Sequence, residues 1–134
     1  MFWCCKSSKR RSPNNLEDTQ SIFIKDMMIQ MAIGVFDFEK GKTQRVRVNV
    51  VADLIEYPDE KNDNILDTLS YDVIVQHVNR IAEEGHIHLV ETFATRIADA
   101  VLPEKNVKGI MVRVEKLDIY ENAISGTEIY RVRR

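Results

Sequence analysis

Residues 44–54, "QRVRVNVVADL", alternate with a period of two. Val46, Val48, Val50, Ala52 and Leu54 fall on one side, and Arg45, Arg47 and Asn49 on the other. Successive side chains of an extended chain point to opposite faces, so this stretch reads as a strand with one face for a core and one for water. A strand needs neighbours. Residues 22–33, rich in Ile, Phe and Met, supply the first, and Gly34 sits where that apolar run must bend, as a bulge or turn. The two are read as a hairpin around a loop over residues 36–42. Ile110, Val112 and Val114 alternate as a third strand, and residues 124–132 form a weaker fourth.

Between the strand pairs the period changes. Residues 57–64, "YPDEKNDN", read as a polar loop. Ser70 has the chemistry of a helix N-cap, with Asp72 well placed in the first turn. Val73, Ile74, His77, Val78 and Ile81 then recur at helical spacing until Gly85. Val90, Phe93, Ala94, Ile97 and Val101 mark the stripe of a second helix, which Pro103 stops. The order ββααββ predicts the α+β class: an antiparallel four-stranded sheet with two helices on one face. Sheet edges and the second face then need cover, and oligomerisation is the usual remedy.

The 134 residues suit one domain, read here as 21–134. Residues 1–20 differ. "MFWCC" precedes a basic cluster of Lys6, Lys9, Arg10 and Arg11, the reverse of a secretory signal. This reads as a disordered leader or an over-long start. S-acylation at Cys4 and Cys5 is the alternative, and no stable membrane association is expected. A net charge of −2 gives no reason to expect nucleic acid as a partner. No apolar run is long enough to span a bilayer. Cys4 and Cys5 are the two cysteines, so the body has neither a disulfide framework nor a cysteine-based zinc site, which fits a cytoplasmic location.

Few residues stand out for chemistry. There is no glycine-rich phosphate loop and no nucleophile elbow. His86 and His88, in "GHIH", suit a surface loop or helix cap better than a metal, with no third ligand nearby in sequence. Glu91 opens the second helix after Leu89 and Val90. It either complements the helix dipole or pairs with an amidine-like N–H edge of a ligand beside free backbone N–H groups. Lys116 shares the face of Ile110, Val112 and Val114. That is unusual for a lysine unless the strand has reached a cleft or the sheet's end. Glu39 alone reads as a solvated loop residue, and Tyr71 alone as a packing residue.

Together, "IGVFDFEKGKTQ", "LDTLSY", "HLVETFATRIA" and "VRVEK" resemble, in order and spacing, the dihydroneopterin aldolase family, from about residue 22 to 133. The resemblance implies the tunnelling fold, with sheets joined into a four-membered ring, working as that tetramer or with two rings stacked as a homo-octamer, and sites between neighbouring subunits. It implies a small-molecule pterin substrate. 7,8-Dihydroneopterin would be split by a retro-aldol reaction into 6-hydroxymethyl-7,8-dihydropterin and glycolaldehyde for folate synthesis, with epimerisation as a possible second activity. Neither a metal nor a Schiff base is implied; the ring itself is the electron sink.

The family's roles carry over position by position. Glu91 resembles the anchor for the pterin 2-amino and N3 edge, with Leu89 and Val90 lining the pocket. Lys116 resembles the lysine near N5 and the side-chain hydroxyls. Tyr71 resembles a proton relay donated across the subunit interface. Glu39 resembles the supporter of the lysine and of an ordered water, its loop held down by Phe36 and Phe38, with Asp37 a turn residue. One departure is Leu117, where much of the family has proline, in a segment bordering the substrate tail. Two rivals remain. A triphosphate epimerase would draw on Lys42, Arg45 and Arg47. A non-catalytic pterin-binding paralogue would have no need of all four of Glu39, Tyr71, Glu91 and Lys116. A zinc-dependent synthase of the same fold lacks its histidine triad here.

Overall fold

The computed structural model describes residues 17–56, 63 and 69–134. The alternating stretch is strand β2, Gln44–Leu54, with the bounds its sequence predicts. It lies inside an antiparallel sheet of order β1-β2-β3-β4, with β1 at Ser21–Met31, β3 at Val107–Lys116 and β4 at Ser125–Val132. Helices α1, Tyr71–Ala82, and α2, Val90–Val101, come between β2 and β3 in the chain. The ββααββ order therefore holds. The polar loop expected at 57–64 lies, apart from Asp63, outside the described residues, and so do residues 1–16 of the expected leader.

Both helices cover one face. Val46, Val48, Val50, Ile110, Val112 and Val114 on the sheet meet Ile74, Val78, Phe93, Ile97 and Val101, all fully buried. Burying each such side chain stabilises by about 1.5–3 kcal/mol. Ser70 is the N-cap of α1, its hydroxyl accepting the Asp72 N–H at 3.2 Å. Arg133 closes the other end of the helical layer by donating to the carbonyls of Leu102, Glu104 and Val107.

Gly34, at φ 130°, opens the turn that follows β1, and the bulge is a separate feature. It lies in β1, where Lys25 and Asp26 together oppose Asn49. Ile22 and Ile24 pair with Ala52 and Val50, whereas Met27 and Ile29 pair with Val48 and Val46. One extra residue lets an even-numbered apolar phase become odd without leaving the core. Asp26 adopts a φ of 57°, and its N–H donates to Asn49 Oδ1 at 2.8 Å. The strand also ends at Met31, and Ile33 instead forms an isolated parallel bridge with Ile87 in the α1–α2 loop.

The second face is polar across its middle. Arg47 pairs with Glu115 at 2.9 Å, Glu115 with Arg113 at 3.5 Å, and Arg113 with Glu128 at 2.9 Å. Tyr130 crosses Gly109, where a Cβ would collide with its ring, and donates to Asp53 at 2.7 Å. Ser21 donates to the other oxygen of Asp53, also at 2.7 Å. No helix among the described residues is long and apolar enough to cross a membrane.

Candidate active site

Gly34 organises one end of the sheet. Its N–H donates to the Ile87 carbonyl at 2.9 Å, and its carbonyl accepts His86 Nε2–H at 2.7 Å. Its φ is 130°, and a Cβ there would run into the carboxylate of Glu39. Both facts demand glycine. The chain then enters a short 3-10 turn, Asp37–Glu39, closed by Glu39 N–H to the Phe36 carbonyl at 2.9 Å. The turn folds the Glu39 side chain back under Gly34.

Glu39 is consequently only 1% exposed, which corrects its reading as a solvated loop residue. Three donors meet its carboxylate. Oε2 accepts from Lys116 Nζ at 2.7 Å and Gln44 Nε2 at 2.8 Å, and Oε1 from the Phe36 N–H at 3.2 Å. Gln44 also donates to the Ile33 carbonyl at 2.6 Å, so its amide fixes Glu39 to the strand end. The expectation that Phe36 and Phe38 hold the loop down is wrong. Both rings are more than half exposed and stack on each other at 5.5 Å. The polar contacts hold the loop. Asp37 is fully solvent-exposed apart from its backbone, whose carbonyl accepts the Lys40 N–H at 3.2 Å.

Burial alone would raise the Glu39 pKa. The Lys116 hydrogen bond, the Gln44 amide, the Phe36 N–H and the Lys116 charge together reverse that and hold it below its ordinary 4.5. Lys116 is the last residue of β3 and pairs with Val46, on the face covered by the helices. Its stem lies along the core and its side chain is 12% exposed. The sheet's end is therefore what admits a lysine to an apolar register.

The start of α2 is tied to the same end through the Ile33–Ile87 bridge. Leu89 occupies the N-cap position without a side-chain cap hydrogen bond, so the first-turn N–H groups lack that partner. Leu89 and Glu91 are exposed and Val90 is half-buried. Among the described residues the Glu91 carboxylate has no hydrogen-bond partner. Tyr71 is elsewhere. It opens α1, and the twelve residues of that helix separate it by about 16 Å of rise from the loop carrying His86 and Ile87. Its ring is exposed, without a partner among the described residues. One chain thus joins Glu39 to Lys116 and holds the Leu89–Glu91 turn at the same end, and it leaves Tyr71 apart.

A cleft of about 390 Å³ borders Glu39, with Phe38, Lys42, Gln44, Arg45 and Asp118 among its walls. Leu117 N–H donates to the Arg45 carbonyl at 3.2 Å, one rung beyond the β2–β3 ladder, which proline could not do. Gln44 and Gly34 were missed as site residues. Gln44 had a signal, since it is a polar residue on the apolar face of β2, in the way Lys116 is on β3. His86 serves the Gly34 turn and meets His88 edge-on at 5.2 Å. No group of three potential metal ligands forms among the described residues.

A sequence model described as dihydroneopterin aldolase matches residues 22–130. The chain is 33% identical over 85 residues to the dihydroneopterin aldolase of Streptomyces coelicolor, covering 63% of this chain and 71% of that protein. It superposes on the crystal structure of dihydroneopterin aldolase from Burkholderia thailendensis bound to guanine, with a TM-score of 0.76 and 29% identity. That match covers 92% of this chain and 98% of the other. The Escherichia coli dihydroneopterin aldolase in complex with neopterin gives a TM-score of 0.74 at 25% identity, over 84% of this chain and 98% of that one.

Proposed function

The chain belongs to the dihydroneopterin aldolase family, and we propose that it cleaves 7,8-dihydroneopterin by a site built on the Glu39–Lys116 pair. The activity is that of an aldehyde-lyase of folate synthesis. The observation that carries the site assignment is that pair, 2.7 Å apart, in an otherwise apolar register at the sheet's end. A structural ion pair gains little from such burial, whereas a reacting site gains a fixed, water-poor geometry.

In the proposed reaction the C2′ hydroxyl loses its proton and the C1′–C2′ bond breaks. Glycolaldehyde leaves, and the electron pair passes through C6 toward N5 as an enamine. Reprotonation at C1′ gives the hydroxymethyl product. Lys116 would sit near N5 and stabilise the charge arriving there, while Glu39, itself fixed by the Gln44 amide, holds the ammonium in place. Glu91 would grip the 2-amino and N3 edge, with the uncapped N–H groups of α2 facing the ring carbonyl and Leu89 and Val90 against the ring. Tyr71 would relay protons from a neighbouring subunit. Its distance along α1 supports that role. So do the edges of β1 and β4, which no other described strand pairs, and the exposed Phe23 and Met28 on β1. The working form in this reading is a ring of four, with two rings stacked as an octamer, in the cytoplasm.

The triphosphate rival draws on Arg45 and Arg47. Arg45 is engaged by Asp118 and Arg47 by Glu115, which leaves Lys42. The test is incubation of purified protein, chelator and 7,8-dihydroneopterin, followed by HPLC with fluorescence after oxidation. Formation of 6-hydroxymethylpterin is expected. Substrate recovered unchanged would refute the reading.

A further inference from the structure

The cleft beside Glu39 is lined by two cations, Lys42 and Arg45, and by the carboxylate of Asp118, the charge of Glu39 being already met by Lys116. Arg45 is not a free cation. Its Nε donates to Asp118 Oδ2 at 3.1 Å and its Nη2 to Oδ1 at 2.7 Å, so one whole edge of the guanidinium is taken. The backbone sets this up, because the Leu117 N–H rung to the Arg45 carbonyl places Asp118 over Arg45. The remaining polar lining is neutral: Gln30, Thr43 and Gln44, with Thr43 donating to Gln30 at 3.2 Å.

We propose that Asp118 is a specificity-determining residue that masks Arg45 and so confines the cleft to hydroxylated substrate tails without charge. The inference rests on the aldolase reading above, in which the substrate is held at Lys116 and its tail borders the segment that begins at Leu117 and includes Asp118. A terminal phosphate is gripped best by the two-pronged edge of an arginine. Here that edge is already bound to a carboxylate that would itself repel the phosphate. Removing the Asp118 charge leaves Lys42 and Arg45 unopposed and exposes the fork.

The test compares 7,8-dihydroneopterin with the same compound phosphorylated on its terminal hydroxyl. Affinity is read by fluorescence titration and turnover by HPLC. The variants are Asp118→Asn, Asp118→Ala, and Asp118→Asn combined with Arg45→Met. Both side chains are about half exposed, so these changes spare the core. The affinity for the phosphorylated compound relative to the neutral one is expected to rise roughly tenfold in both Asp118 variants, as a hydrogen bond to a charged group implies. The gain should vanish in the double variant. An unmoved ratio in both single variants overturns the proposal. So does a gain that survives loss of Arg45, which would mean a loosened segment. If neither compound is turned over but both bind, the aldolase reading fails and the affinity ratio still judges Asp118. If neither binds, both fail.

Discussion

A carboxylate at 1% exposure is tolerable only while its donors stay in place, and Glu39 has three of them. Lys116→Ala removes one and leaves the charge stranded. It is expected to lower kcat by about 10²- to 10⁴-fold and to cost about 3 kcal/mol in urea titration. Replacing both partners, with Glu39→Gln and Lys116→Met, should recover part of that stability but none of the rate. Because the Glu39 pKa is lowered on folding, the unfolded state takes up its proton first as pH falls. The pair's contribution is therefore fully present above the ordinary value of 4.5 and is lost as pH falls through the folded one. Glu39→Gln should flatten the acid limb of a stability–pH curve, and a parallel curve would sink that account. Glu91 has no hydrogen-bond partner among the described residues and only its place in the first turn of α2 to lose, so Glu91→Ala should lower the melting temperature little. It should raise the dissociation constant for the pterin roughly a hundredfold by fluorescence titration. Lys116 was legible in the sequence from its register. The burial of Glu39 was not, because its ammonium partner lies 77 residues away. The neighbouring Phe36 and Phe38 misled because apolar residues in a turn suggest anchors, and here they stack in solvent.

Elements with one clean period were read with their bounds nearly intact. β2 keeps one apolar face from Val46 to Leu54, α1 begins at its serine cap, and α2 carries its stripe from Val90 to Val101. β1 was harder because its apolar residues run through a change of phase. The signal is the switch from Ile22 and Ile24 to Met27, Ile29 and Met31. Two residues must then share one partner, and the strand takes an aspartate at positive φ to allow it. Asn49 is 5% exposed and its side-chain oxygen is the acceptor for the bulged N–H. Asn49→Ala should destabilise by about 1–3 kcal/mol by orphaning that group, measured by chemical denaturation. Asn49→Asp retains the acceptor and should lose less. Gly34 shows the opposite failing of a local reading. The residue was noticed, but its reason lies in a carboxylate five residues on and a loop more than fifty residues on, neither of which a local pattern contains.

At the level of the molecule, the separation of Tyr71 from Lys116 has a direct test. Tyr71→Phe and Lys116→Ala proteins should each be nearly inactive. Mixed and reassembled in equal amounts, they should regain roughly a quarter of wild-type activity, the share of interfaces that receive both intact residues by chance. No recovery despite verified mixed oligomers would place both groups on one chain. The sequence put Arg45, Arg47 and Asn49 on the side away from the core but did not show which carboxylates meet those cations across the strands. That follows from the row formed by Arg47, Glu115, Arg113 and Glu128 across three strands. Laying a second sheet on this row would strip the remaining water from Arg47, Arg113 and Glu128, at several kcal/mol each, over a Glu115 that is already buried. Layered growth is therefore blocked on both sides, by ions on one face and by helices on the other. Of the directions left open, the one along the strand-to-strand hydrogen bonds prolongs the sheet itself, and the sheet's twist then decides whether that line of growth runs on or bends round to meet its own beginning.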